Sequence, residues 1–315
     1  MKTRSNLENI LEAGEFAITA EIGPPQNTET ETIRGKVNLI KGYVDAFNVP
    51  DGQSAVVMMA SWAACLIGKE EGLDPIVQMT CRDRNRIAIQ MDILGIAALG
   101  INNILCLYGD PISFGNHPLA KPVFDLNSVQ LIRTVKGLRD EKKFENGEPI
   151  SGSAPRLFIG AGANPFAEPI ESELTHIEEK VNAGADFIQT QPVYNIAQFE
   201  KWMEIMQAEG LHQKAKILAG ITPLVSVAAA RYMKTKVPNM DIPDETIQRL
   251  LRSRTKQEVA DEGIKIAVET INQLRQIGGV AGVHIMTLQR EELIPKICRD
   301  AGLFPRPAIT PAFKR

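Results

Sequence analysis

One acid in this 315-residue sequence sits where a charge is costly. Residues 18–25, ITAEIGPP, run through small and apolar side chains, hold Glu21 in their middle, and are stopped by two prolines. A carboxylate among apolar neighbours must be paired or neutralised. If burial keeps it protonated near neutral pH, it can serve as a general acid; otherwise it is a strand-end Glu bonded to nearby backbone N–H groups. A second acid, Asp110, stands in the turn Gly109-Asp110-Pro111. The four cysteines, Cys65, Cys81, Cys106 and Cys298, form no CxxC pair. No iron–sulfur cluster or structural zinc is therefore expected within the chain, and reduced core thiols are. His117, His176, His212 and His284 are scattered, and none pairs with a second histidine and carboxylates at ligand spacing, so no catalytic metal is expected.

The elements that must position these groups follow from periodicity. Short apolar runs at 16–22, 44–49, 76–79, 103–107, 157–161, 187–190, 217–219 and 282–285 read as strands. Amphipathic stretches at 30–41, 54–67, 84–99, 126–139, 170–183, 196–208, 225–235 and 290–301 read as helices between and after them. Strands that are nearly continuous apolar runs are covered on both faces, as parallel strands are. Eight such βα units predict an α/β fold, a closed (β/α)8 TIM barrel. An open doubly wound sheet would carry a glycine-rich phosphate loop after its first strand, and Gly23-Pro24-Pro25 is not one. The polar stretch 140–156 reads as a surface loop, and 244–252 and 256–277 as extra helices between strands seven and eight, the second opened by a capping box of Thr255 and Glu258. One domain spanning 1–315 is expected, with an extended tail at 304–315.

Bulk properties narrow the partners. A net charge of −3 and a pI near 5.9 give no basic footprint for nucleic acid. The N-terminal segment is a charged amphipathic helix without an apolar signal core, and no run reaches membrane-spanning length. A soluble cytoplasmic protein is expected.

In a barrel of this kind the chemistry lies at the C-terminal ends of the strands. Those ends hold Glu21, Asn48, Gln78, Tyr108-Gly109-Asp110, the run from Gly160 to Asn164, Gln189-Thr190-Gln191, Gly220-Ile221-Thr222-Pro223, and His284 followed by the segment to Arg290. No lysine is among them, which argues against a Schiff-base enzyme. Amides, hydroxyls, glycines and two acids suit a planar, hydrogen-bonding organic ligand.

The stretches AEIGPP, YGD, VNAGADF with the TQ pair, GITP and GVHIMTLQR occur in an order and spacing that resembles the methylenetetrahydrofolate reductase family over about residues 15–303. The resemblance implies a flavin-dependent barrel that interconverts 5,10-methylenetetrahydrofolate and 5-methyltetrahydrofolate in one-carbon metabolism, in a short form without a regulatory extension. It implies that Glu21 is the general acid, that Asp110 lies beside flavin and pterin, that Gln191 bonds the folate and the nicotinamide, and that Arg290 meets the folate's acidic tail. Cofactor contacts are implied at Asn48, Gln78, Tyr108, Gly109, Asp110, Phe124, Gly160, Asn164 and Lys180. Several depart from the family pattern: Tyr108 replaces an arginine, Gln78 a histidine, Asn48 a threonine and Phe124 a tyrosine. FAD is the family's usual flavin; Glu179 and His176, in place of an arginine and an asparagine near the phosphates, open the way to FMN. Methylenetetrahydrofolate is the implied substrate. The electron donor is NADH or NADPH, or a reduced iron–sulfur partner protein feeding the chain as one subunit of a redox complex; Pro192 replaces the aromatic residue of nicotinamide-using members. An oligomer is expected. The competing reading is a flavin-free, folate-binding methyltransferase or lyase on the same barrel.

Overall fold

The computed structural model describes residues 2–3 and 5–308. Helix α1 (Asn6–Glu12) precedes β1 (Ala17–Glu21), α2 (Thr30–Ile40), β2 (Ala46–Val49), α3 (Ser61–Glu70), β3 (Asp74–Thr80) and α4 (Arg86–Ala98). Then come β4 (Asn103–Leu107), α5 (Ser128–Lys136), β5 (Phe158–Ala163), α6 (Ile170–Ala183), β6 (Phe187–Pro192), α7 (Ile196–Ala208) and α8 (Leu211–Lys214). The chain continues through β7 (Lys216–Ile221), α9 (Val227–Lys236), α10 (Asp244–Leu251), α11 (Lys256–Leu274), β8 (Val280–Ile285) and α12 (Ile294–Asp300). The eight strands close in chain order, each parallel to the next, with β8 returning to β1, so the (β/α)8 barrel expected from the sequence is the fold. Among the described residues no helix is long and apolar enough to cross a membrane.

The alternation of side chains along each strand sorts residues to two environments. Outward residues such as Ile18, Phe47, Val77 and Ile104 join the large core shared with the helices. Ala17, Ala46, Ile76, Leu105, Phe158, Phe187 and Leu218 form a second cluster with Leu7, Ile10 and Leu11 of α1, so the N-terminal helix packs onto the floor of the barrel. One step nearer the mouth the interior becomes polar. Thr19, Asn48, Gln78, Gln189 and His284 are buried there. Buried polar groups must find one another, and these do. All four cysteines are buried free thiols.

The structure corrects several boundaries. The third helix starts at Ser61, not at residue 54, because Ser54 and Ala55 take positive φ values of 54° and 56°. The apolar run 56–59 is therefore loop. The last helix starts at Ile294, because Leu288 and Gln289 are also left-handed and a 3-10 turn spans Glu291–Leu293. The Thr255 hydroxyl accepts from the Glu258 amide at 3.1 Å as a cap should, but the Glu258 carboxylate accepts from Arg254 N rather than closing the box on Thr255. Residues Gly137–Glu141 continue the fifth helix as a π turn, so the surface loop begins later than residue 140. The tail is tied down where it is described: Phe304 stacks on Tyr43 with ring centres 4.7 Å apart, and Arg306 pairs with the buried Asp45 at 2.7 Å. The rest of it, 309–315, lies outside the described residues.

Candidate active site

Glu21 is the last residue of β1, pairs in register with Asn48 of β2, and lies at the C-terminal mouth of the barrel. Gln78 Nε2 donates to Glu21 Oε2 at 3.2 Å, reaching from β3. Part of the Glu21 side chain faces the open mouth, but protein packs round its carboxyl. Burial raises that carboxyl from an ordinary value near 4.5 to about 7; the Gln78 bond opposes the rise, and the neighbouring Glu291 adds to it. The carboxyl at the mouth is thus partly protonated at neutral pH.

Beneath it runs a closed amide network. Asn48 Nδ2 donates to Gln189 Oε1 at 2.8 Å, Gln189 Nε2 donates to Asn48 Oδ1 at 3.2 Å and to Thr19 Oγ1 at 3.0 Å, and Thr19 Oγ1 lies 2.9 Å from His284 Nδ1. Burial pushes the His284 imidazole down to about 3, so it is neutral. This network ties β1, β2, β6 and β8 together below Glu21. Both polar ends of the Asn48 amide are engaged there. Gly160 likewise serves packing: a Cβ on it would stand 2.3 Å from the Phe187 ring. These two residues, implied as cofactor contacts, are buried in the barrel.

The remaining sequence-selected residues gather on two arcs of the rim. On the first, Tyr108 and Phe124 stack with ring centres 4.5 Å apart and planes 19° from parallel, and Tyr108 is half exposed. Gly109, between Tyr108 and Asp110, has φ +100°, and a Cβ there would press at 3.0 Å on Thr80 and Arg82. Asp110 is exposed, and its Oδ2 accepts from Ser54 N at 2.9 Å, linking the loops after β2 and β4. On the second arc, Lys180 of α6 donates to the Gly162 carbonyl at 2.8 Å. Burial holds the Lys180 ammonium below the usual lysine range, with Glu173 and Glu179 opposing. Asn164 Oδ1 accepts from Phe166 N at 3.1 Å, and Gln191 is exposed at the end of β6. Arg290 stands apart, exposed and paired with Glu292.

The arc from Gly162 to Tyr108 fits a planar anionic cofactor. A Cβ at Gly162 would meet only Leu107, at 3.3 Å, so the absent side chain leaves room at the rim. The Lys180 cation beside it has lost hydration and would gain from a phosphate. Among the described residues no three His, Cys, Asp or Glu side chains group as a metal site.

The loops after β2 and β3 are locked by an acid the sequence did not single out. Asp51 Oδ2 accepts from Thr80 N at 2.9 Å, Thr80 Oγ1 at 3.1 Å and Arg84 Nη1 at 2.7 Å. A cavity of about 610 Å³ opens beyond it, walled by Val56, Met58, Met59, Pro118 and Leu119 over Arg82. Glu291, Lys36 and Thr19 were also missed. Each has an unremarkable local context, and only the closed barrel brings them to the site.

A family model described as methylenetetrahydrofolate reductase matches residues 6–302. A 5,10-methylenetetrahydrofolate reductase of Pectobacterium carotovorum is 23% identical over 308 residues, covering 93% of this chain and 92% of that protein. A probable methylenetetrahydrofolate reductase (NADPH) of Caenorhabditis elegans is 24% identical over 234 residues, covering 74% of this chain and 33% of that protein. The chain spans about a third to a half of the length of the eukaryotic relatives. A solved Clostridium thermocellum protein, described as binding two copies of 5-methyl-5,6,7,8-tetrahydrofolic acid, shares the fold at a TM-score of 0.63 and 15% identity, covering 94% of this chain and 98% of that one. With 6–302 matched out of 315 residues, the chain belongs to the methylenetetrahydrofolate reductase family.

Proposed function

We propose that this chain, acting as a single catalytic barrel, interconverts 5,10-methylenetetrahydrofolate and 5-methyltetrahydrofolate with a bound flavin. The observation that carries the reading is Glu21, an acid at the mouth that burial raises to about 7. In the reducing direction the C–N10 bond of the methylene bridge breaks and N10 takes up a proton, leaving an N5 iminium on the folate. Glu21 supplies that proton: burial keeps it on the carboxyl near neutral pH, and N10 becomes basic enough to take it as its bond to the bridge carbon breaks. When bound, reduced flavin supplies the hydride that turns the iminium carbon into a methyl group. Gln78 orients the Glu21 carboxyl through its bond to Oε2. Gln191, exposed at the mouth, offers a donor and an acceptor to a pterin edge. Asp110 orients the pterin, and Arg290 meets the glutamate tail by exchanging Glu292 for it. Lys180, Asn164 and the Gly162 opening would hold the phosphate side of the flavin, and the Tyr108–Phe124 pair and Gly109 would border its ring.

Anaerobic purification tests the reading. The protein is expected to carry a flavin, FAD or FMN as identified by mass after release, and to oxidise 5-methyltetrahydrofolate with an artificial electron acceptor. Parallel assays with NADH and NADPH establish whether the chain draws on nicotinamide directly or needs an iron–sulfur partner. A folded protein that stays colourless after incubation with either flavin overturns the proposal.

A further inference from the structure

Beyond β1 the chain leaves the sheet, and two charged side chains from distant elements take over its peptide groups. Ile22 N still bonds Asn48 O at 2.9 Å. Gly23 does not continue the ladder, and Pro24 and Pro25 after it have no N–H to give. Instead Glu291 Oε1 accepts from Gly23 N at 3.2 Å, and Lys36 Nζ donates to Gly23 O at 2.9 Å. The two side chains close the clamp on each other, Lys36 Nζ to Glu291 Oε1 at 2.9 Å. Glu291 is 3% exposed. It comes from the turn after β8 and Lys36 from α2, so the clamp spans the seam where the barrel closes. The left-handed pair Leu288 and Gln289 turns the chain down onto this point, and Gln289 Cγ would lie 3.2 Å from a Cβ on Gly23.

We propose that Glu291 and Lys36 are positioning residues, which fix the backbone two residues beyond Glu21 and set, by their opposed charges, how firmly Glu21 keeps its proton. The proposal rests on Glu21 being the reaction's acid only for its catalytic consequence, not for its physical content. Around Glu21 the charged and titratable groups are few. Glu291 acts on it from the segment after β8, and Lys36 of α2 is paired with Glu291. Neutral His284 lies below on β8, reached through Thr19, while Asp51, beyond β2, is occupied by Arg84. Arg290 and Glu292 are paired at the surface. The Glu291 charge is the one among these that raises the Glu21 carboxyl, and Lys36, paired with Glu291 at 2.9 Å, offsets that charge, so that removing Lys36 leaves it uncompensated.

The test uses two variants with opposite expected signs. Because folded Glu21 holds its proton up to about 7 while an unfolded Glu releases it near 4.5, folding is weakened as pH rises through that window and is level above it. The melting temperature of Glu21→Gln minus that of wild type therefore climbs from pH 4.5 and reaches a plateau near pH 7. In a Glu291→Gln background the plateau is expected about one pH unit lower, and in a Lys36→Met background about one unit higher. Lys36→Arg, which keeps the charge, returns it to the wild-type position. The descending limb of the folate half-reaction with pH should move in step. Plateaus that stay in place, or move the same way in both backgrounds, overturn the clamp. Plateaus that move oppositely while folate turnover ignores Glu21 sustain the clamp and overturn the general-acid reading instead. Should Lys36→Met fail to fold, Lys36→Gln repeats the arm with a polar side chain.

Discussion

Glu21→Gln is expected to leave reduction of the bound flavin near its wild-type rate and to slow folate reduction by about 10³–10⁴-fold, the upper part of what general acid catalysis contributes. Gln is close in shape to Glu, and its Oε1 can still accept from Gln78 Nε2, which now bonds Glu21 Oε2 at 3.2 Å. The barrel and the flavin arc are therefore kept, and only the proton is lost. Donor oxidation requires no acid at N10, so that half-reaction is spared. In wild type the folate half-reaction should fall about tenfold per pH unit above the Glu21 value of about 7. In the variant this limb should vanish. Stopped-flow measurement of the two half-reactions decides the matter. If folate oxidises the reduced flavin of the variant at close to the wild-type rate, Glu21 is a structural residue.

The second large effect is expected on stability. Asp51→Ala removes the acceptor shared by Thr80 N, Thr80 Oγ1 and Arg84. Arg84 keeps only Asp92, and an N–H at the exit of β3 loses its partner. Breaking a buried pair by deleting one side costs about 3–5 kcal/mol, so the denaturant midpoint should fall substantially. The loop carrying Ser54 would also lose its anchor, and with it the Ser54–Asp110 bond of 2.9 Å. Asp51→Asn keeps one good acceptor and should fall between the variant and wild type. An unfolding free energy for Asp51→Ala within about 1 kcal/mol of wild type would show that the lock is dispensable.

All eight strands were legible because each carries a short apolar run that its surroundings cover on both faces. Their ends were less so. Strand β5 runs on to Ala163 and β6 to Pro192, through glycines and a proline that read as turns in isolation but lie in the ladder once neighbours hold them. The apolar run 56–59 imitated a helix because it, too, has an apolar side to cover, that of the cavity above Arg82. Of the site, Glu21 was visible as an isolated acid in a strand. Glu291 was not: Arg290-Glu291-Glu292 looks like a solvated helix start, and only the left-handed turn at Leu288 and Gln289 swings the middle member inward. Asn48 was visible as a polar strand residue, but its partner Gln189 lies 141 positions away, and no local pattern joins them.

The four buried cysteines amount to a clock written into the chain. Cys65 lies on α3, Cys81 just past β3, Cys106 within β4 and Cys298 on α12. Burial pushes the Cys81 and Cys298 thiols up to about 12 and raises those of Cys65 and Cys106 well above the usual thiol range. An alkylating reagent needs the thiolate, so it finds no target until the surrounding layer opens. Mass spectra taken during slow labelling then time that opening. Four thiols lost together mean that the barrel parts as one unit. Cys298 lost ahead of Cys106 would mean that the last helix peels from the closing seam while the central strands still hold.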